Sequence, residues 1–246
     1  MATSRVLFSL IATAVGLVAL PSAKADPRAV EPRAVIELFT SQGCSSCPAA
    51  DKLLSELQSD PSFIPLSLAI DYWDYLGWKD TLALPGHTIR QRAYSQMRGD
   101  REVYTPQAVI NGVAQAIGSD RSQIESAAQN HSPLSVPVKV TVADQRVSVT
   151  VPSHDETAGG EIWLCPVMTQ VSVGIARGEN TGRTITYTNV VRRWIKLGAW
   201  NGKGETFTVP IDAIKFDGVD AVAVILQNGS ATQPGPIIGA TITSLN

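Results

Sequence analysis

The feature that most constrains the fold is a pair of cysteines, Cys44 and Cys47, separated by two serines and followed by Pro48. The apolar run before them, 34–39, predicts a buried strand, and the segment after them, 51–57, has the spacing of a helix. A Cys-x-x-Cys at such a junction places the first thiol at the positive end of the helix, where its thiolate is stabilised. Proline suits the first helical turn because the N–H it lacks would have no partner there. The pattern is typical of a thiol–disulfide redox site.

The N-terminus has the pattern of an export signal. Arg5 provides a basic start, residues 6–20 are apolar or small, and Ala23-Lys24-Ala25 matches an A-x-A cleavage site. We expect cleavage near Ala25 and a periplasmic or secreted protein without a stable membrane span. An uncleaved N-terminal anchor is the alternative, although the apolar run is short for a membrane span.

Export determines how the three cysteines are interpreted, because disulfides persist in an oxidising compartment. Cys44 and Cys47 form the close pair. Cys165 lies in an apolar strand-like run and is expected to pack in the core; a resolving thiol that folds over Cys44 is the alternative. The net charge of −2, without a block of like charges, gives no nucleic-acid footprint.

The residue pattern changes part-way along the chain and predicts two domains after a signal peptide, 1–25. Residues 26–131 alternate in the order β-α-β-α-β-β-α, which predicts a mixed α/β layer fold. Residues 132–246 contain many short β-branched runs between turn signals, which predicts an antiparallel sandwich-like domain. The predicted strands of this second domain are 136–142, 146–151, 161–167, 170–175, 184–195, 205–209 and 221–226.

Three residues outside the motif favour redox chemistry. Thr105-Pro106 opens a later strand, where a cis proline would hold Thr105 against the sulfurs; an ordinary trans proline is the alternative. Glu37 lies on the strand that enters the motif. A buried carboxylate there would take the proton of Cys47, whereas an edge position would leave it facing solvent.

An aromatic run, 71–78, follows a strand's carboxyl end, a common place for sites in α/β sheets. Tyr72, Trp73 and Trp78 would line a groove beside the cysteines that receives a peptide or a small apolar thiol. The alternative is a loop that packs its own rings as a lid. Farther along, 178–183 predicts a hairpin turn, in which Glu179 and Arg183 could present a small polar site.

Other interpretations of the cysteine pair stay open. A permanently oxidised disulfide in a non-enzymatic binding or structural module is the main rival, and copper handling by soft thiolates is another. Zinc needs four ligands, and the three histidines show no matching spacing and are expected at the surface or at helix caps. These histidines are His87, His131 and His154.

Several segments resemble a known family. The Cys-x-x-Cys between strand and helix, with a distant Thr-Pro and hairpin, resembles the thioredoxin superfamily. The chain is more closely similar to an uncharacterised family of secreted bacterial thioredoxin-like proteins, a domain-of-unknown-function family. The resemblance implies a thioredoxin-like domain with a β-rich extension, and it brings no known substrate. The segments that carry it are 37–48, 71–80, 91–94, 103–107, 178–180 and 189–192.

Two departures from ordinary thioredoxins are visible. Gly43 replaces the tryptophan that usually precedes the first cysteine, which removes a flat docking surface. Ser45 and Ser46 replace Gly-Pro between the cysteines, and their hydroxyls should favour the thiolate and a more oxidising couple.

These features together predict an exported thiol–disulfide oxidoreductase that acts on an envelope or secreted protein client. Cys44 would be the exposed nucleophile and Cys47 the buried resolving thiol. Thr105 and Pro106 would form a backbone platform for the substrate, with Glu37 as a proton relay. The disulfide is itself the redox centre, so no cofactor is expected. The direction of the reaction, the client and the oligomeric state are left open by the sequence.

Overall fold

The first half of the chain forms a mixed α/β layer, as predicted. The structure, a computed structural model, describes residues 32–154 and 159–245, so the predicted export signal lies outside the described residues. The elements follow the predicted β-α-β-α-β-β-α order, with bounds within a few residues of those expected. They are β1 (Ala34–Thr40), α1 (Cys47–Leu57), β2 (Phe63–Ala69), α2 (Pro85–Arg98), β3 (Gln107–Ile110), β4 (Ala114–Ile117) and α3 (Arg121–Asn130).

Local sequence signals explain where these helices begin. Pro48 occupies the first turn of α1, where a missing N–H costs nothing. Asp120 caps α3, since its carboxylate accepts a hydrogen bond of 3.0 Å from the backbone N–H of Gln123. The apolar face of α1, including Leu54 and Leu57, packs against Ile36 and other side chains on one face of the sheet. The N-terminus of α1 is thereby fixed at the carboxyl end of β1.

The second half is built of strands with one short 3-10 helix. Two predicted strands, 161–167 and 170–175, are one continuous strand, and the predicted strand 184–195 is two. The last strand was not predicted because its prolines and glycines are typical of a loop. Register shifts in its pairing with the preceding strand accommodate these residues. The strands are β5 (Lys139–Ala143), β6 (Arg146–Val151), β7 (Gly160–Gly174), β8 (Thr184–Val191), β9 (Ile195–Trp200), β10 (Glu205–Pro210), β11 (Ala221–Gly229) and β12 (Pro234–Ser244).

One sheet crosses the predicted domain boundary. Its order is β12-β11-β7-β8-β2-β1-β3-β4, with β9 also paired to β7. The two halves meet where β8 runs parallel to β2, with Ser67 opposite Val190. The side-chain amide of Asn189 donates to the backbone oxygen of Pro65 at 2.9 Å and strengthens this short junction. The predicted boundary, after residue 131, falls between α3 and β5, and the division into two domains stays a prediction.

A second, antiparallel sheet has the order β10-β6-β5. The inward side chains of β6, Val147, Val149 and Val151, pack in one apolar cluster with Ile162 and Leu164 of β7. Two sheets therefore face each other in the second half. In the described ranges, 32–154 and 159–245, no helix is long and apolar enough to cross a membrane.

Candidate redox site

The cysteine pair lies at the N-terminus of α1, where the chain leaves β1. Cys44 and Cys47 form a disulfide, with their Cα atoms 5.4 Å apart. Cys47 is fully buried, as expected for a resolving thiol, but Cys44 is only 4% exposed. Ser45 and Ser46 are the exposed residues of the motif. The predicted nucleophile is thus more covered than the sequence suggested.

The predicted Thr-Pro companion reaches this loop through an aromatic side chain. The Thr105–Pro106 peptide is cis, as predicted. Trp73 donates its indole N–H to the hydroxyl of Thr105 at 2.7 Å. A Cβ placed on Gly43 would lie 3.1 Å from the Cβ of Trp73, so glycine permits a close approach of the aromatic segment. The structure therefore places Thr105 and Trp73 next to Gly43, the residue before Cys44, while their roles stay predictions.

The other end of the aromatic run is tied to the same loop. Trp78 donates its indole N–H to the side-chain oxygen of Gln42 at 2.8 Å. The carboxylate of Asp80 accepts from the backbone N–H of Gln42 at 2.7 Å, and burial raises the pKa of Asp80. Tyr72 packs against the main apolar cluster, whereas the ring of Tyr75 is 77% exposed. The run therefore contacts the cysteine loop at two residues, with Trp73 against Gly43 and Trp78 bonded to Gln42.

Glu37 lies in a closed ionic network. It is fully buried, and its two carboxylate oxygens accept hydrogen bonds from Arg90 at 2.6 and 3.2 Å. Tyr94 also donates to it, at 2.5 Å, and Gln227 of β11 contacts both Arg90 and Tyr94. Side chains alternate along a strand, so Glu37 shares the sheet face of Phe39 and lies opposite the face that packs on α1. Its relay role stays a prediction, but both its oxygens are already occupied.

Asp51 is the acidic residue that sequence reasoning missed. It lies four residues after Cys47 on α1, hence one turn along the same helix face. Thr40 donates to one of its carboxyl oxygens at 2.8 Å, and the other, Oδ2, is buried without a hydrogen-bond partner among the described residues. Burial raises the pKa of Asp51 to about 8, with a smaller contribution from the charge of Asp80. The i, i+4 spacing from Cys47 was the signal in the sequence that could have found it.

The tip of the hairpin between β7 and β8, residues 178–183, covers the cysteine loop. The side-chain amide of Asn180, fully buried, donates to the backbone oxygens of Gln42 at 3.0 Å and Cys44 at 2.9 Å. Glu179 accepts a hydrogen bond of 3.1 Å from the backbone N–H of Ser45. Arg183 donates to the side-chain oxygen of Asn180 at 3.1 Å. The predicted turn is present, and Glu179 and Asn180 bind the loop of the cysteine motif.

The remaining thiol and histidines lie elsewhere. Cys165 is a free, fully buried thiol in the main apolar cluster, and burial raises its pKa. His87 was expected at the surface but is buried, with Nδ1 2.9 Å from the backbone oxygen of Ala69, and burial lowers its pKa to about 4. His131 is the exposed C-cap residue of α3. Over the described ranges, no three His, Cys, Asp or Glu residues are grouped so that they could hold a metal ion.

Most of the chain matches the model of one known protein family. The model of a protein family of unknown function, DUF1223, matches residues 35–227. The chain belongs to the DUF1223 family. The match includes both the cysteine motif and the hairpin tip that covers it. Among curated proteins, no significant match is found.

Two solved structures resemble this DUF1223 protein. An X-ray structure of an Agrobacterium tumefaciens protein, from a structural genomics consortium, is 30% identical with a TM-score of 0.78. The match covers 88% of this chain and 96% of that one. HBP35 of Porphyromonas gingivalis is 12% identical with a TM-score of 0.59, covering 87% of this chain and 76% of its own. The second likeness concerns the fold alone.

Proposed function

We propose that this protein is an exported, thioredoxin-like thiol–disulfide oxidoreductase that acts on a protein client of the cell envelope. The observation that carries the proposal is the half-satisfied carboxyl of Asp51, one helical turn after Cys47. Burial raises the pKa of this acid to about 8, and buried acids with a raised pKa cluster at functional sites. The β-α-β-α-β-β-α order and the cis Thr105–Pro106 peptide support the thioredoxin-like assignment.

The chemistry is a two-step exchange. In the reduced protein the thiolate of Cys44 attacks one sulfur of a client disulfide, whose S–S bond breaks and releases a first client thiolate. Cys47 then attacks the sulfur of Cys44 in the mixed disulfide, which releases the second client thiolate and forms the Cys44–Cys47 disulfide. Two electrons pass from the protein to the client. The reverse sequence oxidises a client dithiol.

Asp51 is suited to the second step. Cys47 is fully buried and must lose its proton before it attacks, although burial disfavours the thiolate. A carboxylate on the next turn of the same helix face can accept that proton in place of water. A pKa of about 8 makes Asp51 a stronger base than an exposed aspartate and still leaves some of it ionised near neutral pH. We assign the proton-acceptor role to Asp51 in preference to Glu37, whose oxygens are held by Arg90 and Tyr94.

One observation favours a second candidate function, a static disulfide in a binding or structural protein. Cys44 is only 4% exposed, and the hairpin tip is hydrogen-bonded across its loop. A client sulfur could reach Cys44 only after local movement. A static disulfide would resist reduction, with a potential below about −300 mV.

Trapping in the cell envelope separates the two functions. Cys47→Ser leaves Cys44 able to form a mixed disulfide that no second thiol can resolve. We expect a covalent adduct that is lost on reduction and is absent from the double variant with Cys44→Ser. Mass spectrometry of the adduct would identify the client. An empty trap, together with a potential below about −300 mV, would establish the static disulfide.

The role of Asp51 is tested with 5,5′-dithiobis(2-nitrobenzoate), an aromatic disulfide whose two thiolate products absorb visible light. Attack by Cys44 releases the first product and attack by Cys47 releases the second. We expect Asp51→Asn to leave the first phase unchanged and to slow the second by about 100-fold, because it removes a general base. The rise of the second-phase rate near pH 8 should disappear as well.

Asp212→Asn, at an exposed position, is the matched control for the loss of one carboxyl group. Its two phases should equal those of the unaltered protein. A second phase of normal rate and normal pH dependence in Asp51→Asn would refute the assignment of Asp51, whatever the outcome of client trapping.

A further inference from the structure

We propose that the hairpin tip, residues 178–183, is a built-in regulator of the cysteine pair, in which Glu179 and Asn180 are positioning residues that lower the reactivity of Cys44. The inference rests on the proposed function only in taking Cys44 as the reacting thiol. The tip comes from the second half of the chain, more than 130 positions after the motif it contacts. It makes the redox site depend on both halves.

Glu179 acts on the charge at the N-terminus of α1. The N-terminus of a helix stabilises a nearby thiolate through its free N–H groups and the positive end of its dipole. α1 itself has no acidic residue in its first turn. Glu179 brings a carboxylate to the backbone N–H of Ser45, between the two cysteines. That carboxylate occupies a donor and places a negative charge near the position where the Cys44 thiolate would form.

Asn180 holds the tip against the cysteine loop. Its amide bridges the backbone oxygens of Gln42 and of Cys44 itself, on the loop that carries the disulfide. Asn180 is fully buried, and Arg183 holds its oxygen, so both donor hydrogens are directed at the loop. These bonds fix the tip over Cys44 and oppose the opening that an attacking sulfur needs. Burial of a satisfied amide makes the bridge costly to break.

The tip also contacts the aromatic run, 71–78, beside the cysteine loop. A Cβ placed on Gly178 would lie 3.4 Å from the Cβ of Trp78, whose indole N–H is bonded to Gln42. The tip and Trp78 therefore converge on the same residue of the cysteine loop. Any movement that exposes Cys44 must separate these contacts.

The charge of Glu179 is tested in the reduced protein by the pH dependence of iodoacetamide alkylation at Cys44, followed by mass spectrometry. We expect Glu179→Gln to shift the alkylation midpoint down by about half a pH unit, and Glu179→Lys by about one. The equilibrium with glutathione should move up to about threefold towards the reduced protein, because a stabilised thiolate makes the couple more oxidising. Glu205→Gln on β10 controls for net charge and should leave the midpoint unchanged. Equal shifts for Glu179→Gln and Glu205→Gln would overturn the proposal.

The bridge of Asn180 is tested in the oxidised protein by the rate of disulfide reduction with dithiothreitol. We expect Asn180→Ala to accelerate reduction by about 10- to 100-fold, since it removes two hydrogen bonds worth roughly three- to tenfold in equilibrium each. Thr181→Ala removes a hydroxyl that bonds only within the tip, to Gly178, and should change the rate less than twofold. Equal acceleration by both variants would show a general loosening and overturn the role of Asn180. If Asn180→Ala does not fold, Asn180→Ser serves instead.

These measurements are independent of client trapping. A shifted alkylation midpoint with an empty trap would leave the regulation intact and remove the oxidoreductase function. A trapped client with an unchanged midpoint would do the reverse.

Discussion

Two buried carboxyl groups on opposite faces of the sheet have contrasting surroundings. Glu37, on β1, accepts hydrogen bonds from Arg90 and Tyr94, so both of its carboxylate oxygens have donors. Asp51, on α1, has one hydroxyl donor, Thr40, and an oxygen without a partner among the described residues. Burial is nearly the same for both, at 0% and 1% exposure. Their partners, and not their burial, distinguish the two acids.

A buried acid is informative only together with its surroundings. A carboxylate paired with a buried guanidinium joins structural elements, here β1, α2 and β11. A carboxyl with few donors takes up protons readily at neutral pH, because burial disfavours its charge. Only the second kind can exchange a proton with a neighbouring thiol at low cost.

The largest effect is expected from Arg90→Met, which leaves the charge of Glu37 buried without its cation. The free energy of unfolding should fall by about 3–5 kcal/mol, since an unpaired buried charge is strongly destabilising. Urea denaturation of the oxidised protein measures it. Arg121→Met is the matched control, because its ion pairs with Glu56 and Glu125 are exposed and should contribute little to stability. A loss as small for Arg90 as for Arg121 would contradict the structural role of Glu37.

A smaller, pH-dependent effect is expected from Asp51→Asn. Well below pH 4 the carboxyl is protonated in both the folded and the unfolded state, and the substitution should be nearly neutral. Between pH 4 and pH 8 the unfolded state releases a proton that the folded state retains, so the unaltered protein loses stability as the pH rises. The variant escapes this loss. Relative to the unaltered protein, it should gain about 2 kcal/mol between pH 5 and pH 7.

Urea denaturation at pH 5, 6 and 7 measures this trend. Asp212→Asn should show no such change with pH, because its carboxyl is exposed. A constant difference between Asp51→Asn and the unaltered protein over this range would mean that Asp51 is ionised in the folded state.

The smallest effect is expected from Thr40→Val, which removes the hydroxyl that donates to Asp51. That hydrogen bond favours the charged form, so its loss should raise the pKa of Asp51 by about one unit. Titration of the Asp51 carboxyl carbon by NMR measures the shift. Thr40→Ser keeps the hydroxyl and should leave the titration unchanged; a valine variant that titrates like the serine variant would remove Thr40 from the site.

The sequence was most informative where chemistry depends on neighbours along the chain. The cysteine pair, the proline that follows it, the Asp120 cap and the Thr105–Pro106 cis peptide could all be predicted from local patterns. The last strand could not, because its prolines and glycines are typical of loops and only pairing with β11 makes it a strand. Burial of His87 was also missed, since its partner is the backbone of Ala69 on another element.

The sequence by itself determined the position of the disulfide at a helix N-terminus and the alternating order of the first half. The tertiary structure decided which residues surround it. It placed Glu37 with Arg90 on one face of the sheet and left Asp51 half-satisfied on the other. It also brought Asn180 from a hairpin in the second half onto the loop of Cys44. Helix position is fixed by short-range spacing, whereas the reactivity of a thiol or carboxyl depends on charges and donors that only folding brings within a few ångströms.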